Sequence, residues 1–230
     1  MTTLPDRIVS LVRGLAAPAA LMTLAANLVP AACVFLFGWS AGILILLYWV
    51  ENIVIGLFHA LKLLVTGLAL GRSGLYVSLF LTPFFIVHYG LFCLGHGVFA
   101  LLYLTVERAG GWSVGGFETL AADTPAFLLA QDGFVTSLGV MVALQVIDFG
   151  RWLLARGWRE TDGQALMIEP YGRIITLHVT LLATAFVTAA LGGPRLGAVL
   201  LAIFKTLFEG AMAGRKAKAD KASTVSQTAS

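Results

Sequence analysis

Residues 46–62 read LLYWVENIVIGLFHALK. Most of these residues are apolar enough for the interior of a lipid bilayer, yet Glu51, Asn52, His59 and Lys62 interrupt the run. An ionisable group within the hydrocarbon costs about 2.5–3.5 kcal/mol on insertion scales, so each one there is a functional hypothesis. The segment predicts a membrane helix that carries a polar face.

The composition of the whole chain agrees with this prediction. Its 230 residues are 59% hydrophobic and 12% charged, and the mean hydropathy is +0.90. Soluble domains are roughly half apolar and about a quarter charged. The long alternating segments of an outer-membrane barrel are missing from the sequence. We therefore predict an all-α integral membrane protein whose partner is the lipid bilayer, without a nucleic-acid-binding domain. The sequence leaves a homo-oligomer open.

Six apolar segments approach the roughly 20 residues that a helix needs to cross a bilayer. They cover, approximately, residues 16–37, 41–66, 76–106, 134–156, 172–191 and 195–214. Together they predict a six-transmembrane-helix bundle over residues 16–214. Residues 1–15 have the spacing of a short helix that lies on the membrane surface. The basic, then Ser/Thr-rich residues 215–230 predict a disordered tail.

The positions of lysine and arginine predict the orientation of the bundle, because cytoplasmic loops carry an excess of both. With the N-terminus in the cytoplasm, only Arg108 and Arg195 lie on the outer side, and Lys205 lies inside a span. The inner side then holds the others: Arg7, Arg13, Lys62, Arg72, Arg151, Arg156, Arg159, Arg173, Arg215, Lys216, Lys218 and Lys221. We therefore predict that both termini are cytoplasmic.

Polar side chains collect at two depths of this bundle. All four histidines fall within predicted spans, and a rise of about 1.5 Å per residue gives their heights. The inner half collects residues from five helices: His59, His88, Asp148, His178 and Glu209. A thinner set lies in the middle and outer half: Glu51, Asn52, His96 and Lys205. Such convergence is more than isolated helix-packing contacts require.

Three histidines and two carboxylates at one depth suggest a transition-metal site. Neutral imidazole and carboxylate suit Zn, Fe, Cu or Mn, and helical bundles assemble such sites from facing helices. The predicted ligands are His59, His88 and His178, with Asp148 or Glu209 as the carboxylate. Three histidines and a water would be a catalytic geometry, although the sequence does not decide whether the protein is an enzyme.

Three alternatives stay open. Haem b, held by His88 and His178 as axial ligands, is one of them. A proton or ion path is another, because chains of Asp, Glu and His mark proton relays. Its centre would be the second set: Glu51, Asn52, His96 and Lys205. In the third alternative, the polar side chains are only hydrogen-bonding contacts between helices.

Three motifs also resemble a known family when they are taken together. They are WVENIVIGLFHALK at 49–62, HYGLFCLGHGVF at 88–99 and YGRIITLH at 171–178. They resemble an uncharacterised family of prokaryotic multi-span membrane proteins, a domain of unknown function, over roughly residues 40–212. The matching positions are Trp49, Glu51, Asn52, Gly56, His59, Lys62, His88, Gly90, His96, Gly172, Arg173, His178 and Lys205. The resemblance implies a protein of the prokaryotic cytoplasmic membrane and supplies no activity.

Overall fold

The structure is a computed structural model. It describes residues 18–109, 117–159 and 162–172, and also residues 174, 175, 178, 179, 181–183, 186, 199, 203, 205 and 206. Side chains are described from residue 28 onward, except those of residues 117–121. Within this part of the chain the regular elements are helices, with no strand. The predicted surface helix 1–15, most of the spans 172–191 and 195–214, and the tail 215–230 lie outside the described residues.

Six α-helices are described. They are α1 (Pro18–Phe37), α2 (Ala41–Ala69), α3 (Thr82–Ala109), α4 (Phe117–Leu129), α5 (Phe134–Leu154) and α6 (Gly163–Ile168). Two 3₁₀ turns, Gly71–Gly74 and Gly157–Arg159, and a π-helical turn, Val77–Leu81, join them. The first four predicted spans coincide with α1, α2, α3 and α5 to within a few residues, except that helical structure precedes the third span from Gly71.

Three of these helical stretches are long and apolar enough to cross a membrane: Ala41–Ala69, Gly71–Ala109 and Phe134–Leu154. A shorter apolar stretch, Leu28–Phe37, belongs to α1. The part of the chain that the structure describes is therefore all-helical and includes three membrane-spanning candidates.

The α2 helix is the centre of the packing. In its most apolar window 67% of the residues are buried, against 28% in the stretch that contains α3 and 11% in α5. Helices α3, α5 and α6 all pack against it. The outward face of α3 instead exposes large apolar side chains, which suits contact with lipid. They are Phe84, Ile86, Val87, Leu91, Leu94, Val98 and Phe99.

Reciprocal pairs of glycine and aromatic residues hold α2 against α3. A Cβ on Gly56 would lie 2.3 Å from Tyr89 Cε1, and a Cβ on Gly97 would lie 2.6 Å from Trp49 Cζ2. Trp49 Nε1 also donates to the carbonyl oxygen of Cys93 at 2.7 Å. The missing side chains let two antiparallel helices approach closely, as is common in membranes.

A carboxylate from the end of α3 caps the start of α2. Glu107 Oε2 accepts hydrogen bonds from Ser40 Oγ at 2.7 Å and from the Gly42 backbone N–H at 3.0 Å. The first N–H groups of a helix have no partner within it, and a negative charge there also complements the helix dipole. The residue that caps α2 therefore comes from a helix that is distant in sequence.

The π-helical turn before α3 accommodates Pro83. Proline has no backbone N–H, so it is tolerated in the first turn of a helix but not further along. The Thr82 N–H donates to the Val77 carbonyl oxygen, and Thr82 Oγ1 donates to the same atom at 2.9 Å. The helical stretch thus crosses Pro83 without a break, by widening one turn.

Candidate functional site

The polar face of α2 contains a buried ion pair between Glu51 and Lys205. Lys205 Nζ donates to Glu51 Oε2, and only 5% of the Glu51 side chain and 7% of the Lys205 side chain are exposed. Glu51 lies about 15 Å from the start of α2, at a rise of about 1.5 Å per residue. The pair is thus near the middle of a helix that is long enough to span a membrane.

An aromatic ring provides a second contact for the same lysine. Lys205 Nζ lies 3.6 Å from the centroid of the Tyr48 ring. Tyr48 precedes Glu51 by three residues, so both side chains project from the same side of α2. The face of an aromatic ring attracts an ammonium group, most strongly where water is excluded. Lys205 is therefore held by a carboxylate and a π face together.

Asn52 lies beside the ion pair with one unused polar atom. Its Nδ2 donates to the Tyr48 carbonyl oxygen at 2.8 Å, and its backbone carbonyl accepts from Tyr89 Oη at 3.0 Å. Its side-chain Oδ1 is buried and has no hydrogen-bond partner among the described residues. A buried acceptor without a partner costs about 1–3 kcal/mol. Its presence next to two charges indicates that this turn of α2 has a role besides packing against neighbouring helices.

Two further acid–base pairs follow along α2. His59 Nδ1 lies 2.9 Å from the Ile55 carbonyl oxygen, which can only accept, so this nitrogen carries a proton. His59 Nε2 faces Glu169 Oε2 at 3.4 Å, an electrostatic contact more than a formed hydrogen bond. Lys62 Nζ donates to Asp148 Oδ2 at 2.7 Å. The α2 face therefore ends in two carboxylates that are far less buried than Glu51, because 40% of the Glu169 side chain and 60% of the Asp148 side chain are exposed.

The α3 histidines form separate pairs with the C-terminal part of the chain. His88 Nδ1 lies 2.5 Å from Tyr171 Oη, and its ring stacks on Phe84 at a centroid distance of 5.2 Å. His96 Nε2 lies 3.2 Å from His178 Nδ1. These two pairs bring α3 against residues of the YGRIITLH motif.

The structure thus joins the predicted site residues in pairs. His59, His88, His178 and Asp148 do not form one metal-binding group: the described residues contain no cluster of three or more His, Cys, Asp or Glu side chains that could hold a metal ion. Glu209, the fifth predicted ligand, lies outside the described residues. His88 and His178, the predicted axial ligands of haem b, each contact a different partner, Tyr171 and His96 respectively. The rise per residue estimates depth, but it does not give the direction in which each side chain points.

Two partners were missed because they lie outside the predicted spans. Glu169 faces His59, and Tyr171 contacts His88. Both lie in or directly before the segment YGRIITLH, which ends in His178. A polar and aromatic segment that leads into a span with a histidine was a usable signal for both.

The family of the chain follows from a comparison with protein-family profiles. Residues 11–226 match the family of unknown function DUF6498. The match covers both the α2 polar face and the α3 histidines, and it agrees with the resemblance to an uncharacterised family. No curated protein and no solved structure matches the chain. The chain belongs to the family of unknown function DUF6498.

Proposed function

We propose that the protein crosses the prokaryotic inner membrane six times, with both termini in the cytoplasm. The three long helices and the strong Lys/Arg asymmetry support this topology. In this orientation Glu51 lies near the bilayer midplane, while Glu169 and Asp148 lie on the cytoplasmic side. The apolar residues Ala41–Tyr48, all buried, lie on the outer side of Glu51.

Within this topology the protein moves protons through a relay centred on Glu51 and Lys205. The observation that carries this proposal is the buried Glu51–Lys205 ion pair in the middle of a membrane-length helix. A buried ion pair is weak support for a stabilising role, because removing two charges from water costs about as much as their attraction returns. Ionisable groups at this depth mark proton and ion pathways.

Each proton step changes the pairing of Lys205. A proton that reaches Glu51 converts the carboxylate into the neutral acid and removes the attraction that holds the ammonium group. Lys205 stays charged, and the Tyr48 ring at 3.6 Å keeps a favourable position for it. Release of the proton restores the ion pair. The centre therefore has two states that differ by one proton.

Proton access is from the cytoplasmic side. His59 is the only titratable side chain on α2 between Glu51 and Lys62, and it faces the accessible carboxylate of Glu169. On the outer side, the buried Ala41–Tyr48 segment excludes water. Release to that side therefore requires the first turns of α2 to separate from their neighbours, so transport is by alternating access and not through an open pore.

A transition-metal site on His59, His88 and His178 is the alternative proposal. It requires each of these side chains to leave its present partner, and haem b would require the same of His88 and His178. The proton relay starts instead from an ion pair that is already formed in the structure. It is therefore the function that the geometry supports best.

Proton flux into proteoliposomes tests the relay. Purified protein is reconstituted with a trapped pH-sensitive dye, and a pH step is applied. We expect flux from the unmodified protein and none from Glu51→Gln, which keeps the size of the side chain but cannot carry a proton. Asp123→Asn, a change at an exposed carboxylate on α4, is the matched control and should leave flux unchanged.

Two results would decide against the relay. The unmodified protein could carry no flux above that of empty liposomes, or Glu51→Gln could carry as much as the control variant. A purely structural polar face predicts a lower melting temperature for Glu51→Gln without any flux in either protein. Measuring both quantities on the same preparations separates the two explanations.

A further inference from the structure

His96 and His178 bring two ring nitrogens into direct contact between α3 and the C-terminal part of the chain. His96 Nε2 and His178 Nδ1 are 3.2 Å apart, and the two rings are nearly perpendicular, at 81° with centroids 5.2 Å apart. Two ligands of a tetrahedral zinc ion, each about 2.0–2.1 Å from the metal, are separated by roughly 3.3 Å. The two nitrogens therefore have the separation of neighbouring ligands of one metal ion.

The protonation of His96 is fixed by its own helix. His96 Nδ1 lies 2.7 Å from the Phe92 carbonyl oxygen, which can only accept, so Nδ1 carries the proton. In the neutral ring, Nε2 then presents its lone pair toward His178, whose Nδ1–H donates the hydrogen bond. Metal binding by His178 Nδ1 uses the other neutral tautomer, in which the proton lies on Nε2. Histidines that bind metals almost always donate their other ring N–H to a carbonyl or carboxylate, which orients the ring and raises its basicity. His96 already has this supporting bond.

We propose that His96 and His178 bind one divalent transition-metal ion, with water in the remaining coordination positions. This site is independent of the Glu51–Lys205 relay. Imidazole nitrogen without thiolate or carboxylate suits Zn²⁺ and Cu²⁺, and also accepts Co²⁺. His96 is half-buried and His178 is exposed in the structure, so neither ring is enclosed by the described residues. Two protein ligands also leave open positions, as catalytic metal sites do.

Titration with Co²⁺ tests the site, because its visible absorption bands report tetrahedral nitrogen coordination. The protein is purified in detergent, its affinity tag is cleaved, and CoCl₂ is added, followed by ZnCl₂ in competition. We expect one equivalent of Co²⁺ to bind and Zn²⁺ to displace it. His96→Ala and His178→Ala should each weaken Co²⁺ binding at least tenfold.

Matched variants control for folding and for other histidines. His59→Gln and His88→Gln change the two remaining histidines of the chain and should bind Co²⁺ as the unmodified protein does. His96→Asn and His178→Gln are milder changes for preparations in which an alanine variant does not fold. They should show the same loss with an unchanged gel-filtration profile.

Three outcomes would overturn the site. The unmodified protein could bind no Co²⁺, which would leave a histidine–histidine hydrogen bond as the whole interaction. The His96 and His178 variants could bind Co²⁺ normally. Alternatively, binding could be lost in the His59 and His88 variants instead. Glu51→Gln should retain Co²⁺ binding, so a failure of this site and a failure of the relay are distinguishable.

Discussion

Tyr89 of α3 fills the space that Gly56 of α2 leaves open, and in that position it holds the backbone of the polar turn. A Cβ on Gly56 would lie 2.3 Å from Tyr89 Cε1, while Tyr89 Oη donates to the Asn52 carbonyl oxygen at 3.0 Å. The same contact thus fixes the distance between the helices and ties α3 to the turn beside Glu51. A change in the packing of α2 against α3 at Gly56 should therefore also affect the turn that carries Glu51.

Replacement of Gly56 by alanine should destabilise the protein. The new methyl group meets the Tyr89 ring, so the ring must shift and its hydrogen bond to Asn52 weakens. Overpacking of this kind costs about 1–3 kcal/mol. Thermal unfolding in detergent, followed by circular dichroism, measures the loss. Gly90→Ala is the control, because a Cβ there has nothing within 4 Å. Equal melting temperatures for the two variants would contradict the close contact.

Replacement of Lys205 by methionine should destabilise the protein more than the removal of both charges together. The single change leaves Glu51 as a buried carboxylate without this cation, and breaking a buried pair in this way costs about 3–5 kcal/mol. The double variant Glu51→Gln/Lys205→Met removes both charges and should recover most of the lost stability. The measurement is the melting temperature of the single and double variants. A double variant less stable than Lys205→Met would show that the two charges do not interact.

Replacement of Asp148 by asparagine should have a small effect. The Asp148 side chain is 60% exposed, although that of Lys62 is only 9% exposed. Because the carboxylate is exposed, we expect the pair to contribute about as little as surface ion pairs do, about 0–1 kcal/mol, and to be screened by salt. We expect a melting temperature within a few degrees of the unmodified protein, with the difference shrinking in 0.5 M salt. A decrease in melting temperature as large as that of Lys205→Met would mean that the Lys62–Asp148 ion pair makes a large contribution to stability.

His88 and Tyr171 should show a coupling energy in a double-mutant cycle. His88→Phe keeps the ring contact with Phe84 but loses the bond to Tyr171 Oη, and Tyr171→Phe loses the same bond from the other side. A typical hydrogen bond contributes about 0.5–1.5 kcal/mol. The losses of stability in the two single variants should therefore add up to more than the loss in the double variant, by roughly that amount. Chemical denaturation of the four proteins gives the coupling. Strict additivity would exclude the bond.

The helices were largely predictable from the sequence, because hydropathy and length decide them. The predicted span 41–66 corresponds to the helix Ala41–Ala69, and the predicted span 134–156 corresponds to the helix Phe134–Leu154. The extension of the third span to Gly71 was not predicted, since the 3₁₀ turn Gly71–Gly74 contains two glycines, Arg72 and Ser73, which lower the hydropathy there. Residues 38–40 lie between the first two predicted spans and join α1 to α2, and Gly38 has a φ of +68°.

The pairs that the polar side chains form were not predictable from the sequence. Glu51, His59, His88, His96, His178 and Lys205 were chosen for their depth, and the structure gives each of them a polar partner. Which partner each one has depends on helix rotation and on long-range packing. Gly56 and Gly97 contact aromatic rings, whereas Gly90 and Gly95 meet nothing within 4 Å. All four are small residues in spans, so only the folded structure separates them.

The distance in sequence between Glu51 and Lys205 has a consequence for biogenesis. The two partners are 154 residues apart, and a ribosome makes about 5–20 residues per second. Glu51 therefore enters the membrane many seconds before its lysine exists. The ion pair therefore forms only after the C-terminal part of the chain has been made, so an early part of α2 is completed by a residue that is synthesised late.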